Sequence, residues 1–135
     1  MPFQPLKKAT LLMPSGPPDD PDRLHLFIVL TDPCAAHDAN LVVDVCTVRD
    51  GRFHDPTCLI QQGEHRRIKH TSWVDYHRCR AVHSSALKKG AAAWLYHPDE
   101  PVSGALFERV CAGLLASDQT AMRMRRYFEG KGPAF

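Results

Sequence analysis

The feature that most constrains this chain is a change of hydrophobic period along its length. LHLFIVL at 24–30 and LVVDVCTV at 41–48 are rich in β-branched and aromatic residues and are bounded by turn residues, which predicts two strong strands. In the second strand Leu41, Val43, Val45 and Thr47 take one face and Val42, Asp44, Cys46 and Val48 the other. Beyond Pro101 the repeat lengthens. Val102, Leu106, Val110 and Leu114 recur every four residues, an apolar stripe on a helix that Ser103 or Asp99 would cap. A second helix is expected from Ser117 or Asp118, with Met122, Tyr127 and Phe128 inward, Arg123, Arg125 and Arg126 outward, and Gly130 as its stop. Strands followed by helices predict an α+β protein or a small barrel with helical additions, not a parallel α/β sheet.

Prolines set the other limits. Six of the eleven fall in the first 23 residues, and SGPPDDPD at 15–22 can be neither helix nor central strand. ATLLM just before it is a candidate short strand. TDPCAAHDAN at 31–40 connects the two strong strands, and RDGRFHDP is a turn, with Asp50-Gly51 as a hairpin signal. TCLIQ at 57–61 predicts a short strand. WVDYHRCRAV alternates with Trp73, Asp75, His77, Cys79 and Ala81 on one face and Val74, Tyr76, Arg78, Arg80 and Val82 on the other. Neither face is purely apolar, which suits a strand lining a binding surface or a sheet edge. The expected organisation is one domain over 1–135: a Pro-rich leader (1–22), a barrel (23–95) and a helical tail (101–130).

Charge is uneven. The formal net charge is only +2, yet Glu64 to His83 hold five Lys/Arg and four His against two acids. Such a patch suggests phosphate as a partner, and its histidines carry protons near neutral pH. No apolar run is long enough to span a bilayer, and MPFQPLKK lacks the apolar core of a signal peptide, so the expected location is the cytoplasm and no membrane partner is expected. The five cysteines form no C-x-x-C pair, and reduced thiols are the default, with Cys46 and Cys111 as small core residues. Cys34-x2-His37, His54-x3-Cys58 and His65-x4-His70 contain ligand types but no paired zinc-knuckle spacing, so no metal and no cofactor are expected.

HLFIVLTDP, LVVDVCTV, a short strand and then SWVDYHRCRAVHSSAL together resemble the PemK/MazF family of toxin endoribonucleases over about residues 23–87. The resemblance implies an SH3-like β-barrel, here followed by two C-terminal helices, usually dimeric. It also implies metal-independent cleavage of single-stranded RNA and an antitoxin protein as partner. Thr47 falls at the family's Thr/Ser position. The family arginine falls at His25, with Arg23 two residues away. The family's Gly-Asp-Ile/Val-Trp opening is replaced by the Pro-rich leader.

Cleavage of that kind needs a base for the 2′-hydroxyl, an acid for the leaving 5′-oxygen and a cation for the phosphorane. His65 and His70 are the candidate base and acid. Arg66, Arg67 or Arg80 would neutralise the phosphate, Lys69 adds charge, Thr47 would hydrogen-bond it, and Trp73 or Tyr76 would stack on a base. The bland readings stand beside these. His65, Arg66, Arg67 and Lys69 equally make a solvated loop, His70-Thr71-Ser72 a turn with capping hydroxyls, and Arg123, Arg125 and Arg126 a solvated helix face. Asp75 is expected to pair with Arg78 or Arg80, and Asp44 to sit in a structural ion pair. The alternative functions are a non-catalytic barrel that binds nucleic acid or protein, or an accessory protein of a mobile element.

Overall fold

Alternation along four β-prone runs produces the sheet on which everything else is placed. The computed structural model describes residues 2–33 and 36–135. Its strands are β1 (Thr10–Pro14), β2 (Leu24–Val29), β3 (Ala39–Thr47), β4 (Leu59–Ile60), β5 (Ser72–His83) and β6 (His97–Asp99). They form one antiparallel sheet in the order β4-β5-β3-β2-β1-β6, curled into a half-barrel. The helices are α1 (Ser84–Ala92), α2 (Gly104–Ala116) and α3 (Met122–Phe128). The α+β class is therefore as expected, with β2 and β3 adjacent at the centre.

Several boundaries differ from the sequence reading. The Pro-rich leader is not separate from the barrel: its ATLLM run supplies β1, which pairs with both β2 and β6. SGPPDDPD contains neither helix nor strand. The predicted strand at 57–61 is only two residues long. Asp50-Gly51 does form a tight turn, with Gly51 at φ +72° and Arg52 N–H donating to the Arg49 carbonyl. It does not join a hairpin, because β3 pairs with β5 and not with β4. Helix α1 and strand β6 were not expected. Each is short, and the single large apolar side chain that α1 buries is Leu87.

Both faces of the sheet are covered. On one, Leu26, Ile28, Val43, Val45, Val74 and Tyr76 pack against Leu106, Val110, Leu114 and Met124 of α2 and α3. On the other, Phe27, Val29, Val42, Leu11 and Met13 pack against Leu87 of α1. The four-residue stripe is buried as its spacing predicts, and the Ser103 hydroxyl accepts from Leu106 N–H as the α2 cap. Gly113 lets α2 cross Tyr76 closely, since a Cβ there would lie 2.1 Å from the Tyr76 hydroxyl. Helix α3 starts later than expected, because Ser117 is the C-cap of α2 and its hydroxyl donates to buried Asp55. Its inward methionine is Met124; Met122 is 67% exposed. Gly130, at φ +75°, follows the α3 cap as expected.

Strand β5 bends sharply against β3. Between the pairs Val42↔Arg80 and Asp44↔Asp75, β5 runs five residues while β3 runs two. This bulge brings Arg80 (3.1 Å) and Arg78 (3.7 Å) onto the buried Asp44 carboxylate. The ion pair expected of Asp44 is present, but its partners are the ones assigned to Asp75 from sequence.

Candidate functional site

The connection between β4 and β5 carries the basic residues, and its own packing decides which of them are free. Ile68 is buried in the core beneath α2 and α3. Its N–H donates to the His65 carbonyl and its carbonyl accepts from Gly63 N–H, which folds residues 63–68 into a compact turn. An exposed, solvated loop was expected here; its one apolar side chain, Ile68, is buried and seats it.

His65 is buried within this turn. Its Nε2–H donates to the Glu100 carbonyl at 2.7 Å, and its Nδ1 accepts from Arg67 N–H at 3.0 Å. With both ring nitrogens engaged, His65 holds the loop against the end of β6. Arg66 and Arg67 are also committed. Arg66 donates through Nε and Nη2, and Arg67 through Nε, to the Asp99 carboxylate of β6 at 2.6–3.0 Å. Burial pushes the Asp99 carboxyl up, but hydrogen bonds from Arg66 and Arg67 outweigh this and hold it well below the usual carboxylate range. Arg109 of α2 clasps the start of the loop through Glu64 and the Leu59 carbonyl.

With the loop pinned in this way, its remaining side chains border a pocket of about 540 Å³ at the end of β2, β3 and β5. Leu12, Leu24, Leu26, Val45 and Ile68 give it an apolar floor. Its polar lining is Arg23, His25, Thr47, Arg49, Arg67, Lys69, His70 and Ser72, with Cys46 between. The side chains of Arg49, Lys69 and His70 make no hydrogen bond or ion pair among the described residues. Arg23 pairs with Asp20 at 3.1 Å, across exposed surface.

Six of the eleven residues singled out from sequence therefore border one pocket: Arg23, His25, Thr47, Arg67, Lys69 and His70. The other five do not. His65 is locked in the turn, and Arg66 is on Asp99. Arg80 is on Asp44, over the ring of Phe27. Tyr76 is fully buried and donates its hydroxyl to the Val110 carbonyl at 2.6 Å, so it is a core residue and offers no stacking face. Trp73 is half-buried and packs against Phe53 and His54. Arg49 was missed, although it stands two residues after Thr47 at the end of a strand. The sequence allowed His70-Thr71-Ser72 to be either catalytic or a turn with capping hydroxyls; the Ser72 hydroxyl donates to the His70 carbonyl.

Two residues implied by the family resemblance do not share a face. Alternation puts Thr47 with Val43 and Val45, on the side of α2 and α3. His25 lies with Phe27 and Val29 on the opposite side, where its Nδ1 is hydrogen-bonded to the Ser15 hydroxyl at 2.6 Å. Burial lowers the His25 pKa against the field of Asp44, and Arg78, Arg23 and Arg49 add to the lowering. Both border the pocket, from the two sides of the sheet end.

Chemically, the pocket joins unpartnered cations to an apolar floor and a strand hydroxyl. That combination holds a phosphate together with the flat or apolar group attached to it. Burial pushes the Cys46 thiol up to about 12, so it is protonated at neutral pH and offers no nucleophile. Cys46, Cys58, Cys79 and Cys111 are free thiols; Cys34 lies outside the described residues. Among the described residues no three His, Cys, Asp or Glu gather as a metal site, and no helix is long and apolar enough to cross a membrane. Compared with known proteins, the chain matches no family model and no curated protein sequence.

Proposed function

We propose that this chain binds single-stranded RNA in the pocket at the end of β2, β3 and β5 and cleaves it as a PemK/MazF-like, metal-independent endoribonuclease. The observation that carries this reading is that two unpartnered cations, Arg49 and Lys69, and the unpartnered imidazole of His70 gather beside Thr47 over an apolar floor. Unpaired RNA offers the complement, a phosphate next to a base and sugar with apolar faces. His70 is the proton acceptor for the 2′-hydroxyl. The 2′-oxygen attacks phosphorus, the bond to the 5′-oxygen breaks, and that oxygen takes a proton from water at the open mouth. The products are a 2′,3′-cyclic phosphate and a 5′-hydroxyl. Lys69 and Arg49 stabilise the charge of the phosphorane, and Thr47 donates to a phosphate oxygen. An antitoxin protein, a homodimeric state and a cytoplasmic location belong to the same proposal.

A second reading, binding without cleavage, is favoured by a different observation. His65 has no free ring nitrogen, and Thr47 and His25 lie on opposite faces of the sheet, so the catalytic set inferred from sequence is not assembled on one surface. One experiment separates the two. A labelled single-stranded RNA is incubated with the protein in chelator, and both binding and new 2′,3′-cyclic ends are measured. The first reading expects cleavage that falls by roughly 10²- to 10⁴-fold in His70→Ala with binding kept. Bound but intact RNA supports the second, and no binding overturns both.

A further inference from the structure

The turn after β3 leaves an aromatic ring in water. Phe53 is 71% exposed. It meets Trp73 edge to face, with ring centroids 6.1 Å apart and planes at 88°, and His54 lies 6.4 Å from the same indole. The fold does not use the outer surface of Phe53: none of its area joins either core cluster. The ring is nevertheless held in place. Two residues on, buried Asp55 accepts from Thr57 N–H and hydroxyl and from the Ser117 hydroxyl at the end of α2. The chain around Phe53 is thus tied at one end to the helical layer and at the other to the tight turn at Gly51.

The charges of the turn beside this ring complement a phosphate-bearing partner. Arg49 and Arg52 close the turn, with Asp50 between them, so the turn carries a net positive charge. Neither guanidinium has a partner among the described residues. Arg49 also borders the cationic pocket, and so does Cys46, the register partner of Trp73. The ring's backing residue thus stands one register pair from the pocket's edge, and Arg49 belongs to both the pocket and the turn. An apolar protein side chain would seek a groove. A flat ring with open faces and arginines beside it suits a planar base with phosphates on either side.

We infer that Phe53, backed by Trp73, is a stacking platform for an unpaired base of the strand whose phosphate occupies the pocket, with Arg49 and Arg52 on the flanking phosphates. The inference rests on the proposal that the pocket binds RNA. It adds the requirement that the ligand bring a base and not phosphate alone.

The test uses a short labelled oligouridylate and the same strand with one abasic position, measured by fluorescence anisotropy. Phe53→Ala weakens binding of the intact strand by roughly 5- to 150-fold, the range of one lost stacking contact. Phe53→Tyr restores it. The best-placed abasic position weakens wild-type binding by a similar factor and does nothing further to Phe53→Ala. In a Trp94→Phe background Trp73 is the sole tryptophan, and its emission changes as RNA binds. Because Phe53 is largely exposed and loses only its edge-to-face contact with Trp73, its removal lowers the melting temperature by no more than a few degrees and leaves the protein folded. Lys69-dependent RNA binding that is equal in wild type and Phe53→Ala overturns the platform and leaves the RNA proposal standing. Loss of a homodimer in Phe53→Ala, with RNA affinity unchanged, also overturns it, by assigning the ring to a second copy. No RNA binding by the wild type overturns both.

Discussion

Replacing Ile68 with Ala tests whether one apolar side chain seats the whole cationic loop. Ile68 is 5% exposed and packs in the larger core cluster, while its chain neighbours Arg67 and Lys69 line the pocket. The substitution keeps both backbone hydrogen bonds of the turn and deletes three carbons. Transfer of those carbons costs about 2.4 kcal/mol at roughly 0.8 kcal/mol each. A rigid cavity would add to this, but Ile68 forms part of the floor of an open pocket, so the site relaxes and the loss falls at the low end of its class, about 2–3 kcal/mol. For a chain of this size that lowers the melting temperature by about 6–15 °C. Circular dichroism melts give the stability, and RNA anisotropy well below the melt gives the binding. Ile68→Ala is expected to lose RNA affinity along with stability, because Lys69 and His70 lose their fixed position. Ile68→Val is expected to cost about 1 kcal/mol and to keep binding. A melting temperature within about 2 °C of wild type for Ile68→Ala would refute the reasoning, since the loop would then be seated by its ion pairs alone.

Tyr76→Phe removes a buried hydroxyl that donates to Val110, so urea denaturation should show a loss of about 1–2 kcal/mol with RNA affinity unchanged. Asp99 has a folded pKa held below its unfolded value, so its contribution is present above the ordinary carboxylate range and is lost as pH falls through the depressed value. Asp99→Asn should therefore be less stable than wild type at neutral pH, and the gap in melting temperature should close as the solution is acidified. Lys69→Ala and Arg49→Ala should each make the slope of log affinity against log salt shallower by about 0.7, with no change in the melt.

The legible parts of the fold were those whose signal is local. Strands β2 and β3 stand out by their β-branched and aromatic content, β5 by its alternation, and α2 shows its stripe from Leu106 to Leu114, about two turns. The α2 cap and the turn at Gly51 depend on residues within reach of one another along the chain. Strand β6 has no such signal. Its three residues become a strand because β1 offers them an edge, and β1 is itself a five-residue run inside a proline-rich leader. Helix α1 buries one leucine, too little to stand out from a Lys- and Ala-rich segment.

The candidate site divides in the same way. That Glu64–His83 concentrates positive charge and imidazoles is a property of composition, and it located the region. Which of those groups are free is not. His65 and His70 stand five residues apart in the same basic stretch, yet one is buried against Glu100 and the other borders the pocket with its ring unpartnered. Arg66 and Arg67 were expected on phosphate and are held by Asp99, more than thirty residues away in β6. Tyr76 was expected to stack on a base and instead fills the gap left by Gly113 of α2. In each case the partner is distant in sequence. A side chain's periodicity and charge are its own and can be read from the chain, but its freedom to meet a ligand depends on which opposite charge, carbonyl or helix the closed sheet brings against it, and only the tertiary structure decides that.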